Sequence, residues 1–300
     1  MDTRKPLDCI IIGGGPAGLT SAIYLARYRR NVIVYDTFDS RAARIPLSHN
    51  YPGFPEGIAG KELLKRLRQQ LSVYNVPLIN AAAESLTQVD EDEFLVMSAG
   101  ETQRAKNIIL CTGVKDIEPH LADINDGIQK GLIRHCAVCD AYEIIDKKIA
   151  VIGEGKSGLG EALFLRDYTR DVTLMTLGVS SSWTRTDLKQ IRDAEIKIIP
   201  YEILAIELTV DKAKITYSDN SIIQFDSIYS ALGCIENNAL AKNIKAKQKE
   251  GLLLVNKAQQ TSVKGVFAAG DIVSGLNQIC VATCQAAMAA TAIHKRCKKT

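Results

Sequence analysis

An α/β chain built from two parallel, three-layer folds is what these 300 residues predict, because one structural plan is written twice. Residues 8–36 run from an apolar stretch through glycines and an apolar-faced helix to a second apolar stretch, and residues 149–176 repeat that order. A parallel strand pair needs a crossover of a dozen or more residues, so each segment reads as a βαβ unit. Length agrees: the chain suits two domains of roughly 100–200 residues better than one.

Each element follows from its residues. Asp8-Cys9-Ile10-Ile11-Ile12 is apolar on both faces, the pattern of a strand inside a parallel sheet. Gly13-Gly14-Gly15-Pro16-Ala17-Gly18 then forms a GxGxxG turn. Gly13 permits the tight turn, Gly15 lets a phosphate reach the backbone, and Gly18 lets helix pack on strand. Pro16 suits the first helical turn, where no backbone donor is lost. The helix is expected to reach Arg30 with Leu19, Ala22, Ile23 and Ala26 on one face, and Val32-Ile33-Val34-Tyr35-Asp36 is the next strand. Asp36, twenty-three residues beyond Gly13, stands where a carboxylate accepts ribose hydroxyls. Glycines, strands, helix and acid together make a Rossmann-like dinucleotide site rather than a bare glycine-rich loop.

The second unit has the strand Ile149–Ile152, the loop Gly153-Glu154-Gly155-Lys156-Ser157-Gly158, a helix through Ala162, Leu163 and Leu165, and a strand over 172–176. The same step from Gly153 reaches Thr176, followed by Leu177-Gly178-Val179-Ser180-Ser181-Ser182. That stretch offers neither a carboxylate for an NAD ribose nor an arginine for a 2′-phosphate. Gly153, Gly155, Lys156 and Ser157 can hold a pyrophosphate, which leaves NAD(P)H, a different nucleotide or a vestigial site open. Arg185 and Lys189 are the cations further along, and Trp183 either packs against the fold or offers a ring for stacking. Two more strands end in glycine turns, over 106–113 and 265–271, the latter preceding an alanine-rich helix at about 281–293. Gly113 marks a domain boundary and Glu236-Asn237-Asn238 the return crossing.

Composition narrows the function classes. With 46% hydrophobic and 24% charged residues the chain is an ordinary globular protein, and its net charge of +3 is concentrated in the last seven residues, so no nucleic-acid surface is expected. No apolar run reaches the roughly 18 residues that span a bilayer, and neither a membrane segment nor a signal peptide is expected. Eight cysteines are too few for a secreted disulfide framework, and only Cys136 and Cys139 form a CxxC. A reduced, cytoplasmic chain with one redox or metal pair is the simplest account. Two thiols at this spacing can close a small disulfide ring, and the adjacent Asp140 can serve as a general acid. A zinc site using His135, Cys136 and Cys139 lacks a fourth ligand, and a purely structural role for the pair remains the bland alternative. Cys280 and Cys284, like Cys9, Cys111 and Cys234, are expected in the core.

The motifs GGGPAG at 13–18, NYPGFPEGI at 50–58, CTG at 111–113, CAVCD at 136–140, the second glycine loop at 153–158, and FAAGD at 267–271 with LNQ at 276–278 resemble those of low-molecular-weight thioredoxin reductases. These are flavoproteins of the pyridine-nucleotide disulfide oxidoreductases, and the resemblance spans essentially the whole chain. It implies that Gly13, Gly15, Pro16, Ala17, Asp36, Asn50, Thr112, Gly113, Gly270, Asp271, Gln278 and Ile279 contact FAD. It also implies that Cys136 and Cys139 are the redox pair, with Asp140 as proton donor, Cys139 facing the flavin and Cys136 attacking the external disulfide. The FAD domain would comprise 1–113 and 242–300, with 114–241 inserted as an NAD(P)-type domain carrying the CxxC. A homodimer acting on a thioredoxin-like protein or a small disulfide is the family expectation.

Two departures bear on the electron donor. The family's HRR stretch is replaced by Thr176-Leu177-Gly178, and the arginine usually found beside the C-terminal glutamine is Asn277. These changes resemble divergent relatives that take electrons from ferredoxin, hold a second flavin or other nucleotide, or pass dithiol electrons to oxygen. NADPH is therefore expected to be a poor donor. A non-catalytic redox sensor is disfavoured by the intact CxxC and Asp140.

Overall fold

The computed structural model describes residues 5–119, 124–177 and 183–298. Val266–Ala268, Ile108–Leu110, Cys9–Ile12, Val32–Asp36 and Leu78–Asn80 lie side by side, all parallel, in the first sheet. Alternate residues face opposite layers. Cys9, Ile11, Val32, Val34 and Ile109 pack against the helices Pro16–Arg27, Gly60–Ser72 and Ile279–Cys297. Ile10, Ile12, Ile33, Tyr35 and Ile108 pack on the other side with Leu86, Phe94, Val96 and Ala105 of an antiparallel sheet formed by Ser85–Asp90, Glu93–Ser98 and Glu101–Ala105. Each buried isoleucine, valine or leucine among these contributes about 1.5–3 kcal/mol of transfer free energy, which favours unbroken apolar runs in the central strands.

The second sheet repeats the design with the order Lys197–Ile199, Val172–Met175, Ile149–Ile152, Ser227–Ser230 and Ile133–Arg134, again all parallel. The helices Gly155–Leu165 and Arg185–Asp193 cover one face through Leu159, Ala162, Leu165 and Ile191. Antiparallel strands Ile203–Leu208, Ala213–Tyr217 and Ile222–Phe225 cover the other.

Two crossings join the sheets. Val114–Asp116 pairs antiparallel with Cys234–Glu236. Beside that ribbon, the Thr112 hydroxyl donates to the Asn237 carbonyl at 2.7 Å, and Asn237 Nδ2 donates to the Thr112 carbonyl at 2.9 Å. The return crossing thus falls at about residue 237, in the Glu236-Asn237-Asn238 segment, and the helix Ala239–Asn243 after it already buries Leu240 and Ala241 in the first core.

Three sequence expectations are corrected. The first helix stops at Arg27 instead of Arg30, since Arg29 adopts a left-handed φ of 60°. The last helix is longer than expected, Ile279–Cys297, and it buries Ala282, Ala286, Ala289, Ala290 and Ile293. Cys280 and Cys284 lie on its opposite side and are exposed, not core residues. No described helix is long and apolar enough to cross a membrane.

Candidate active site

The first glycine loop is dictated by close backbone approach. Gly13 has φ +106°, and a Cβ there would lie 2.2 Å from the Cys111 carbonyl oxygen; one on Gly18 would lie 1.8 Å from the Gly13 carbonyl oxygen. The helix that starts at Pro16 has neither a side-chain cap nor an acid in its first turn, so its orphan amides are open to an anion. Asp36 ends its strand as a buried carboxylate that accepts the Phe38 amide at 3.0 Å. It also pairs with Arg68 at 3.3 Å, whose guanidinium lies 4.6 Å from the Phe38 ring centroid.

Cys136 and Cys139 form a disulfide, with an S–S distance of 2.00 Å. Cys136 caps the helical turn Ala137–Asp140 and Cys139 lies within it; the Ala137 amide donates to Glu161 Oε1 at 2.9 Å. From the first lobe, Gln278 Nε2 approaches Cys139 Sγ at 3.3 Å and Cys136 Sγ at 3.7 Å. Asn50 Nδ2 steadies that amide by donating to Gln278 Oε1 at 2.9 Å. One cavity connects these parts. Its walls include Gly13, Gly15, Pro16, Ala17, Asp36 and Asn50, then Thr112, Gly113, Gly270, Asp271, Gln278 and Ile279, and finally Cys136, Cys139 and Asp140. Cys111 also lines it, but burial pushes that thiol up to about 12, so it stays protonated and unreactive.

Sequence reasoning missed the ionic clasp around this cavity. Arg41 donates from Nε to Asp116 at 3.0 Å and from Nη1 to Asp271 at 3.1 Å, tying the first lobe to the crossing ribbon. Burial works against its charge, but the two carboxylates outweigh burial and hold it firmly cationic. Arg44 pairs with Glu118, which also meets His135 Nε2 at 2.8 Å next to Cys136. The only signal was the pair of arginines in the loop between Asp36 and Asn50.

The second glycine loop is placed less pointedly. Gly153 and Gly155 bracket the start of the helix Gly155–Leu165, with Lys156 and Ser157 exposed. Thr176 is buried in the fold, and Leu177 turns the chain with φ 55°. Residues 178–182, including Gly178, lie outside the described residues. Lys189 pairs with Asp193, Arg185 is exposed, and Trp183 packs against the core of the second lobe.

The family model for pyridine nucleotide-disulphide oxidoreductases matches residues 7–288. The chain belongs to that family. Within it, the chain is 31% identical to the thioredoxin reductase of Mycolicibacterium smegmatis, over 89% of this chain and 88% of that protein. It is 30% identical to the bifunctional thioredoxin reductase/thioredoxin of Mycobacterium leprae, over 89% of this chain but only 60% of that longer protein. The crystal structure of thioredoxin reductase from Streptococcus pyogenes MGAS5005 superposes with a TM-score of 0.91 at 23% identity, covering 98% of this chain and 99% of that one, and shows the fold. This pyridine nucleotide-disulphide oxidoreductase is thus a flavin-dependent disulfide oxidoreductase of thioredoxin reductase type. The group the family implies is FAD, and the residues fit it: the uncapped helix suits a pyrophosphate, and the cavity runs from that helix and Asp36 to the disulfide.

Proposed function

We propose that FAD lies in the cavity between the first glycine loop and the Cys136–Cys139 disulfide, and that the chain reduces a thioredoxin-like protein or a small disulfide with electrons from a donor other than NADPH. In this reading residues 1–113 and about 237–300 hold FAD, and the inserted segment between them carries the CxxC. The observation that carries it is Gln278, whose amide touches both sulfurs from within the glycine-loop cavity.

Bound FAD supplies a carrier that accepts electrons and hands a pair to a disulfide. The amides at the start of the Pro16 helix neutralise its pyrophosphate, and Asp36 takes its ribose hydroxyls. Arg68 and the Phe38 amide hold the Asp36 carboxylate in place for that task. Cys139, the sulfur nearer Gln278 and adjacent to Asp140, faces inward, and Cys136 attacks the external disulfide. Exchange then proceeds through a mixed disulfide between Cys136 and the substrate. Asp36→Ala is expected to weaken FAD binding by about 10- to 100-fold, the usual worth of hydrogen bonds to a charged group, as read by flavin dissociation in ultrafiltration. Unchanged retention would remove Asp36 from the ribose site.

The donor reading rests on the second loop. A 2′-phosphate carries about two negative charges and needs an arginine fork. Thr176 is buried, Lys189 is already paired, and Arg185 starts the following helix facing solvent. Ferredoxin, or a second flavin or other nucleotide held at Gly153–Ser157, fits better as the source of electrons. Anaerobic stopped-flow mixing with NADPH, NADH and reduced ferredoxin in turn is the test. Slow bleaching with both nicotinamides and fast bleaching with ferredoxin is expected; rapid, saturable bleaching at micromolar NADPH would restore an ordinary NADPH-dependent thioredoxin reductase.

A further inference from the structure

Asp140 is gripped from two adjacent strands of the second sheet. Ser227–Ser230 pairs in parallel with Ile133–Arg134, and the register sets Tyr229 against Arg134, so both side chains leave the sheet on one face. The turn Ala137–Asp140 lies over that face. Arg134 Nη1 meets Asp140 Oδ2 at 2.7 Å, and the Tyr229 hydroxyl donates to Oδ1 at 2.8 Å. The guanidinium is itself fixed, since Nε donates to the Gly131 carbonyl at 3.1 Å. The Tyr229 hydroxyl has a second acceptor, the Asp140 backbone carbonyl, at 3.3 Å.

We propose that Arg134 and Tyr229 are positioning residues for the proton that Asp140 exchanges with the dithiol: Arg134 anchors the anion, and the Tyr229 hydroxyl serves both protonation states. The proposal rests on the reading above, in which Asp140 serves the Cys136–Cys139 pair. Two electrons, which bound reduced flavin would supply, break the S–S bond and leave two thiolates; Asp140 gives its proton to one and becomes a carboxylate. The remaining thiolate attacks the external disulfide, and one substrate thiolate departs. Asp140 then takes its proton back from the enzyme thiol. That sulfur displaces the second substrate thiolate, and the Cys136–Cys139 bond re-forms.

In the ionised state Tyr229 donates to Oδ1. Once Oδ1 is protonated, the same contact runs the other way: the tyrosine oxygen accepts, and its hydroxyl turns to the backbone carbonyl. Neither state leaves a buried polar group unpaired, which is the condition for a proton to come and go cheaply. The charged neighbours of Asp140 are Arg134 on the edge strand, Glu143 in the next turn and Glu161 on the facing helix. Burial raises the proton affinity of Asp140 above the ordinary carboxylate value, Arg134 and Tyr229 pull it partly back, and Glu143 adds to the rise. Burial and the Asp140 charge keep Tyr229 protonated.

The test uses the FAD-loaded full chain with chemically reduced flavin, following the appearance of Cys136 and Cys139 thiols by rapid-quench alkylation across pH. Difference infrared titration of the Asp140 carboxyl, identified against Asp140→Asn, supplies a second readout. Wild type should show a rate that falls on an alkaline limb, and Asp140→Asn should remove the limb and lower the plateau by about 10²-fold. Arg134→Gln and the near-isosteric Tyr229→Phe should each move both the limb and the infrared titration to higher pH, with Arg134→Lys returning them toward wild type. If both variants titrate as wild type while Asp140→Asn still removes the limb, Asp140 keeps its role and the positioning proposal falls. If Asp140→Asn leaves rate and limb unchanged, the role of Asp140 in the proposed function falls with it.

Discussion

Cys136→Ser and Cys139→Ser should each lower disulfide-reductase turnover by on the order of 10³-fold or more while leaving FAD content intact. Losses of that size are usual when a member of a covalent machinery is removed. A lone thiol cannot close the ring that stores an electron pair, so reducing equivalents have no route to the substrate. FAD should stay because its proposed pyrophosphate and ribose contacts come from the Pro16 helix and Asp36, which neither substitution touches. Turnover with thioredoxin and with a small aromatic disulfide, alongside the flavin-to-protein absorbance ratio, checks both halves. Activity preserved in either variant would move the chemistry away from this pair.

Gly18→Ala carries a large expected effect on the fold. Its new methyl would sit 1.8 Å from the Gly13 carbonyl oxygen, a clash of side chain with backbone that no rotamer relieves. Moving the helix away from the strand would unpack Leu19, Ala22 and Ile23 from the first core and drag the phosphate-binding amides out of place. A destabilisation of about 3 kcal/mol is expected, at the upper end for overpacking, together with loss of bound flavin. For a chain of 300 residues, with an unfolding entropy of about 0.6 kcal/mol/K, that lowers Tm by about 5 °C. Gly160→Ala is the control: its added Cβ meets nothing within 4 Å on an exposed helical position, so it should be neutral or stabilise by up to about 1 kcal/mol. Equal melting temperatures for the two variants would show that the close approach at Gly18 is not what holds the loop.

The parallel sheets were legible because their central strands are buried on both faces and end in glycine turns. The antiparallel sheets were not, since each alternates around a half-exposed surface: Phe94 and Val96 face the core while Met97 faces outward. The GxGxxG loop, Asp36 and the CxxC could be read from spacing alone, being local features. The partners that condition them come from far along the chain. Arg68 reaches Asp36 across 32 residues, Tyr229 reaches Asp140 across 89, and Gln278 reaches Cys139 across 139. Such pairings depend on which strands become neighbours, and spacing holds no record of that. Cys280 and Cys284 were misplaced for a different reason. In a helix with alanine on several faces, composition does not say which side packs, and Ala282, Ala286 and Ile293 took the inner one.

The central claim is that the glycine-loop cavity and the Cys136–Cys139 bond form one electron path. Anaerobic dithionite titration of the FAD-loaded protein tests it most directly, with absorbance reporting the flavin and mass-resolved alkylation reporting the two thiols. The wild-type protein should take up two electron pairs per chain, one for FAD and one for the disulfide, and Cys139→Ser should take up a single pair. Uptake of one pair by the wild type, with flavin fully bleached and Cys136 and Cys139 still bridged, would contradict the account.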